Sequence, residues 1–504
     1  MKSSVSLNRR QFLSLGAGLA ALGLAPAGFA AKNQTGDAAR LHKATRQNAG
    51  RVGRKRITQI EGSIPKALNG SVYRVAPGLN NKFGKPLRHY FDGDAFLSAF
   101  HFENGHCTHH ADYLATRERI AEQKAQKMLY HEFGTAAPMP EDPYADPPAF
   151  KNVPNVNVMH HDGRLLALSE GGAPIAVDPQ TLAVQGEWRF KGTLPRMASF
   201  TAHPKFDHRS GEGFAFGIYQ GDPLALVAFR METDGRLKEL HRVPLPYYAM
   251  IHDFSLTDQY MVFSVPPLYI DIAKLFQGSA SCIAETLTFA EKTPVKYLVL
   301  RRDGTGEPIW IEDQPGMVFH NGNAREVDGS IVMDSIATPD DSVMKLLYSA
   351  AKNRLPEYTQ NQLMRLRLDL VNKGVTRRDI ITRGFEFPRF DDRRVAGDTR
   401  YLYGCGDHAV NHMLAGRLHA IDLHRGAVKT EAYQPHQALE EAVFVPRAAK
   451  GAENDGWLLL QGYDGRRNEN FFDIRDAASL KRQARLWLGT HFPLGFHGNF
   501  VPAG

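Results

Sequence analysis

Cysteine is scarce in this sequence. Cys107, Cys282 and Cys405 are the only three in 504 residues, far apart and in no CxxC pair. That count excludes a disulfide framework and leaves one bridge at most, against the plainer reading of three free or buried thiols. Dense Lys/Arg runs are missing too, which removes the usual footprint of nucleic-acid binding. The formal charge of +7 overstates the basicity, because Lys2, Arg9 and Arg10 contribute three charges within residues 1–31, which hold no acid. The rest carries 58 basic against 54 acidic residues. Beyond residue 31 no stretch approaches the ~20 apolar residues that a membrane-crossing helix needs.

Helical patterns are few as well. Residues 111–129 and 339–355 show helical spacing, and 270–287 show it less cleanly. Residues 136–154 are Pro-rich and read as an irregular loop. What fills the chain instead is short apolar or alternating runs broken by Gly, Asp, Asn and Pro, with 45 Gly and 29 Pro in all. Examples are residues 70–75, 164–168, 213–217, 260–263, 330–333 and 456–460, each of strand length. Such density from residue 57 onward predicts one all-β closed fold, such as a propeller, over residues 50–504. The helical stretches then read as insertions between strands. No clean repeat of fixed period is present, so this expectation rests on strand density.

The first 31 residues read as an address. Asn8-Arg9-Arg10-Gln11-Phe12-Leu13 precede an Ala/Gly/Leu-rich run that ends in small residues near Ala30. A basic segment, an apolar segment and a small-residue cleavage site make a secretory signal peptide. The paired arginines resemble the twin-arginine type, which implies the twin-arginine export machinery as a partner and a periplasmic location. The competing reading is a retained anchor, but the run is weakly hydrophobic for that role.

Of the 21 histidines, most need no special explanation. His160 and His161, followed by Asp162-Gly163, read as a turn between strands. His106, His109 and His110 are close enough to hold a metal, yet read more plainly as loop or surface residues. Four others share a setting. His203, His252, His320 and His497 each have apolar or aromatic neighbours and are followed by Pro204, Asp253, Asn321 and Gly498. This places each at the end of a strand entering a turn. Their separations are 49, 68 and 177 residues. Seven blades would take about 65 residues each, so one histidine from each of several blades is compatible with the spacing. Singly, a structural histidine remains the competing reading for every one of them.

Around these residues the sequence resembles the carotenoid cleavage oxygenases. The motifs that carry the resemblance are Thr201-Ala202-His203-Pro204-Lys205, His252-Asp253-Phe254, Phe319-His320-Asn321-Gly322-Asn323-Ala324 and Phe496-His497-Gly498-Asn499-Phe500, with Phe91-Asp92-Gly93-Asp94 as an early signature. It implies a seven-bladed β-propeller with a helical dome. It also implies one Fe(II) per chain on His203, His252, His320 and His497, with Glu170, Glu386 and Glu441 orienting three of those histidines. The implied activity is dioxygenase cleavage of a conjugated carbon–carbon double bond by O2 in an apolar polyene, giving two carbonyl products. No organic cofactor is implied. A carotenoid or apocarotenoid is the first substrate class, and a lignostilbene or other phenylpropanoid the alternative. A non-catalytic exported propeller that binds lipid is a third reading, which has no need of the histidines and glutamates.

Two departures from the family pattern bear on this. Ala95 stands where the early signature has a second glycine, which would alter a turn. Ser169 stands before Glu170, where lignostilbene-cleaving members tend to have a lysine that ionises the substrate phenol. Serine carries no such charge, and this favours a carotenoid. Substrates of this class reside in membranes, so an apolar rim is expected to touch a bilayer, with Leu129-Tyr130 and residues 266–270 as the candidates and a place in the core as the competing reading for both.

Overall fold

Strands that are apolar on both faces cannot lie at a surface and must sit between neighbouring sheets. Here all nine residues of Gly456–Asp464 and seven of the eight of Gly70–Pro77 are buried. The computed structural model describes residues 36–137, 149–342, 345, 359–407 and 414–503, apart from 38 and 46. In it these strands build an all-β propeller. Six sheets hold four to eight strands each, and two further pieces have two strands. All six segments expected as strands lie in strands: Gly70–Pro77, Arg164–Leu168, Glu212–Tyr219, Tyr260–Val265, Ser330–Thr338 and Gly456–Asp464.

The ring is closed by both ends of the chain. The last strand, Gly498–Pro502, pairs with Gly70–Pro77, setting Val72 opposite Phe500. Near the start, Ile60–Gly62 pairs with Arg482–Trp487. Each exchange covers a sheet edge that would otherwise expose unpaired backbone groups. Between neighbouring sheets lie apolar layers. One joins the first and last sheets through Val72, Phe100, Trp457, Phe472 and Leu486. The eight-stranded sheet divides into two antiparallel halves linked by one parallel pair, Glu312 with Gly374. Those halves also pack face to face, with Val262 and Val299 against Ile331, Met333 and Leu366.

Local sequence signals hold with a few corrections. Asp162 and Gly163 form the expected turn between Asn157–His161 and Arg164–Leu168. Their φ values of 49° and 69° suit a two-residue hairpin turn, whose twist matches the strands. The helix expected over 111–129 is shorter. Its first three residues finish the strand His106–Tyr113, and the helix runs Arg117–Ala125 with Thr116 accepting the Arg119 N–H as its cap. Residues 270–287 hold two short turns of helix, Ala273–Phe276 and Ile283–Thr286, between strands. Most of the expected helix over 339–355 and of the loop over 136–154 lies outside the described residues, as do residues 1–31. Ala95 opens the strand Ala95–Glu103 opposite Pro77 rather than sitting in a turn.

In the two segments weighed between a rim and the core, Tyr130, Pro266, Pro267 and Leu268 are buried, with Leu268 packed on Met317 and Phe319, while Leu129, Tyr269 and Ile270 are half-buried. Large apolar side chains that do face solvent include Ile120 and Phe276, both on the helical insertions. Among the described residues no helix is long and apolar enough to cross a membrane. All three cysteines are buried and free, so no bridge joins them.

Candidate metal centre

The four histidines reach one point from different parts of the ring. His203, His252 and His497 stand one or two residues ahead of the strands Lys205–Asp207, Phe254–Leu256 and Gly498–Pro502. His320 lies inside Met317–Val327. The expected place at a strand end entering a turn is therefore reversed for three of them, and His320 sits within its strand. These are the edge strands of their sheets, and the four side chains converge. All four imidazoles are buried. Nε2 of His252 lies 2.9 Å from Nε2 of His203 and 3.2 Å from that of His320, and the His320–His497 pair is also 3.2 Å apart.

Three carboxylates stand behind this cluster. Glu170 meets Nδ1 of His252 in a short contact. Glu386 lies 2.7 Å from Nδ1 of His320, and Glu441 lies 2.9 Å from Nδ1 of His497. Adjacent Glu440 is engaged elsewhere. It accepts from Arg74 Nε at 2.6 Å, which leaves Glu441 for the histidine. Burial works against ionising all three glutamates that face histidines, yet each is held below the usual carboxylate range. His252 outweighs burial for Glu170, and His320 does so for Glu386. For Glu441, Arg389 and then His497 bring it to about 2.

The imidazoles respond in kind. Burial holds His203 well below the ordinary histidine value, with His497, His252 and Lys205 adding to the effect. Burial also pushes His497 down to about 4 against the pull of Glu441. His320 goes the other way, since Glu386 outweighs burial.

This donor set fits a metal ion. An imidazole that gives its Nδ1 hydrogen to a carboxylate presents a lone pair at Nε2. Three such lone pairs, with His203 beside them, face one another at close range and repel unless a cation lies between. Metal–imidazole bonds of about 2.1 Å at right angles would put neighbouring nitrogens about 3.0 Å apart, close to the 2.9 and 3.2 Å observed. Nitrogen ligands without thiolate suit iron, zinc or copper by type.

A second cluster, Asp94, Glu122 and Glu132, also brings carboxylates within metal-binding reach. Lys82, Lys151 and Arg119 fill it instead, with Lys151 Nζ 2.7 Å from Glu122 and Lys82 Nζ 2.9 Å from Asp94. It is a buried ion-pair network with three charges of each sign. His106, His109 and His110 form no site. His109 is buried and stacked on Phe100, while His106 contacts Arg56.

His252, His320 and His497 open onto a cavity of about 470 Å³. Composition had left open which aromatics line it. Phe91, Phe133, Phe319, Phe387 and Phe496 do so. Phe319 stacks on His252 at 4.2 Å, and Phe387 stands 5.5 Å from His320 and 5.4 Å from His497. Three of these five, Phe319, Phe387 and Phe496, sit beside a ligand histidine or its glutamate, a signal that adjacency to a ligand could have supplied. Ser169 is on the same wall, its hydroxyl 3.2 Å from Asn152 Oδ1.

Fold and site together define a propeller enzyme with a four-histidine metal site under an apolar cavity. The family model described as retinal pigment epithelial membrane protein matches residues 47–502, and the chain belongs to that family, the carotenoid oxygenases. It is an oxidoreductase of the dioxygenase class, from a family whose members cleave carotenoids, apocarotenoids or stilbenes. It is 30% identical over 461 residues to the apocarotenoid-15,15'-oxygenase of Synechocystis sp., covering 88% of this chain and 93% of that one. Resveratrol cleavage oxygenase 1 of Aspergillus fumigatus is 31% identical over 478 residues, with 88% and 92% covered. A crystal structure of cobalt-substituted ACO from Synechocystis superposes with a TM-score of 0.83 at 28% identity, covering 93% of this chain and 99% of the other.

Proposed function

We propose that this protein is an Fe(II)-dependent dioxygenase, with one iron per chain, that splits a conjugated double bond of a carotenoid or apocarotenoid into two carbonyl products. One observation carries this reading: four buried imidazoles, three of them backed at Nδ1 by carboxylates, converge beneath a cavity walled by phenylalanine. Iron bound there supplies the activation of O2. The chain's own residues do the rest. Glu170, Glu386 and Glu441 hold the Nδ1 hydrogens of His252, His320 and His497, keeping Nε2 free. The phenylalanines hold an apolar polyene near the ligands and keep water from it. Each product carbonyl takes one oxygen atom of O2, so no further reductant is required.

The alternative substrate is a stilbene or other phenylpropanoid, favoured by the likeness to the resveratrol-cleaving relative. Ser169 weighs against it, since this position on the cavity wall offers no cation for a phenolate. A non-catalytic lipid-binding propeller leaves the buried ligand set without a purpose. The test is to incubate the iron-loaded protein, under O2, with carotenoids, apocarotenals and hydroxystilbenes, and to identify aldehydes by mass. Paired aldehydes from a polyene are expected. Faster cleavage of hydroxystilbenes would reverse the substrate choice, and no aldehyde from any of them would sink the enzyme reading.

The finer architecture and location belong to the same proposal. The eight-stranded sheet counts as two blades, because its halves share one parallel pair and pack through their own apolar layer; that gives seven. The helical insertions form the dome, and exposed Ile120 and Phe276 on them are candidates for peripheral contact with a bilayer that delivers the substrate. Residues 1–31 are a twin-arginine signal that sends the folded protein to the periplasm.

A further inference from the structure

His203 precedes the edge strand of one sheet, while His252 precedes and His320 lies within strands at opposite edges of the eight-stranded sheet. Their relative placement depends on what ties those edges together, and one side chain touches all three segments. Asp253 follows His252 directly and is 3% exposed. Its Oδ1 accepts the Phe254 N–H at 2.8 Å and lies 2.7 Å from Nζ of Lys205, two residues beyond His203. Its Oδ2 accepts the backbone N–H of Asn321, the residue after His320, at 2.9 Å.

We propose that Asp253 is a positioning residue of the metal centre, a clasp that fixes three of the four ligand segments and neutralises Lys205 beside them. The inference rests on the reading of the four histidines as the ligands. Two physical effects combine in it. The Phe254 N–H orients the carboxylate within its own segment, and Oδ2 reaches across to the Asn321 N–H, so one charge-assisted hydrogen bond holds the two edge strands in register. Lys205 bears a positive charge near His203 and opposes any cation among the imidazoles. With Asp253 at 2.7 Å, that charge is largely cancelled at the site. An ordinary buried ion pair would contribute to folding alone, whereas a clasp also sets ligand geometry. The two differ in what a bound metal reports.

The experiment uses the full chain, stripped of metal and reloaded separately with Fe(II) and Co(II). Affinity is read by competition with a chromophoric chelator, ligand geometry from the visible bands of Co(II), and folding from circular dichroism of the metal-free protein. Asp253→Asn presents an amide NH2 to one of two backbone N–H donors and leaves Lys205 unanswered. It is expected to weaken metal binding about 10–100-fold, the range for groups that orient ligands, and to shift the cobalt bands while the metal-free fold persists. Lys205→Met frees the His203 segment and is expected to shift the bands with a smaller loss. The double variant is expected to bind more tightly than Asp253→Asn alone, because the uncancelled cation is gone.

An Asp253→Asn protein with wild-type affinity and wild-type cobalt bands overturns the clasp. If that variant does not fold, Lys205→Met decides, and unchanged bands there overturn it equally. A wild-type chain that takes up neither metal overturns the ligand reading itself, and this inference with it.

Discussion

Oε2 of Glu386 lies 2.7 Å from Nδ1 of His320 and accepts the Phe387 N–H at 3.0 Å. One oxygen therefore serves both the ligand and its own backbone, and the charge of the carboxylate is what lets it do so well. Glu386→Gln keeps the size of the side chain but removes the charge, so the Nδ1–H of His320 is held less firmly. Metal affinity or activity is expected to fall about 10–100-fold with little change in thermal stability. Metal titration beside a melting curve separates the two. Wild-type behaviour in both would remove Glu386 from the ligand-orienting set.

His252 has Glu170 behind it, Phe319 stacked on it and Nε2 of His203 at 2.9 Å. His252→Ala deletes a ligand and leaves the Glu170 carboxylate without its partner. After anaerobic Fe(II) loading, elemental analysis should give about one iron per wild-type chain and nearly none in the variant. Iron near zero in the wild type would contradict the proposed activity, whatever the variant does.

Ser169 tests the substrate. Its hydroxyl donates to Asn152 on the cavity wall next to Glu170. Ser169→Lys would place a cation there, where a phenol could be ionised and a polyene gains nothing. Turnover of apocarotenals is expected to stay level or fall, while turnover of hydroxystilbenes rises. Competition assays with both substrates in one vessel give the ratio directly. A rise for the polyene would mean that the position does not discriminate by charge.

The histidines and glutamates could be read from the sequence because each sits in a short motif, and the motif survives whatever surrounds it. His203 and His497 lie 294 positions apart in the chain, yet their rings are 4.4 Å apart. Spacing carried little of this, since blade lengths vary with their insertions. Helix ends were harder. The pattern over 111–129 ran on into His106–Tyr113 because Ala111 and Tyr113 are buried by sheet packing, and a periodicity cannot say which neighbour does the burying. The choice between rim and core is open in the sequence for the same reason: Leu268 is apolar and meets Met317 and Phe319. Asp253 was visible as part of a motif, but its contacts with Lys205 and Asn321 cross between strands far apart in the chain.

His109 gives a prediction independent of the metal. It is buried between Phe100, stacked at 4.5 Å, and Phe492 at 5.9 Å, and neither ring nitrogen has a hydrogen-bond partner among the described residues. Burial pushes it down to about 3, with Lys55, His110 and His101 adding to the effect. The unfolded chain binds a proton at this residue near pH ~6.5, while the folded chain refuses it until about pH 3. Between those values the unfolded state holds more protons, so stability falls as pH falls, by up to about 1.4 kcal/mol per pH unit for one group. His109→Phe fills the same aromatic slot without a titrating nitrogen. Its melting temperature should match or exceed the wild type at pH 7 and should decline less steeply down to pH 4. His89, also pushed down to about 3, with His101 and His491 at about 4, keeps part of the slope in place. Melting curves of the two proteins at pH 7, 6, 5 and 4 decide the matter, and parallel profiles would show that the protonation of His109 does not limit acid stability.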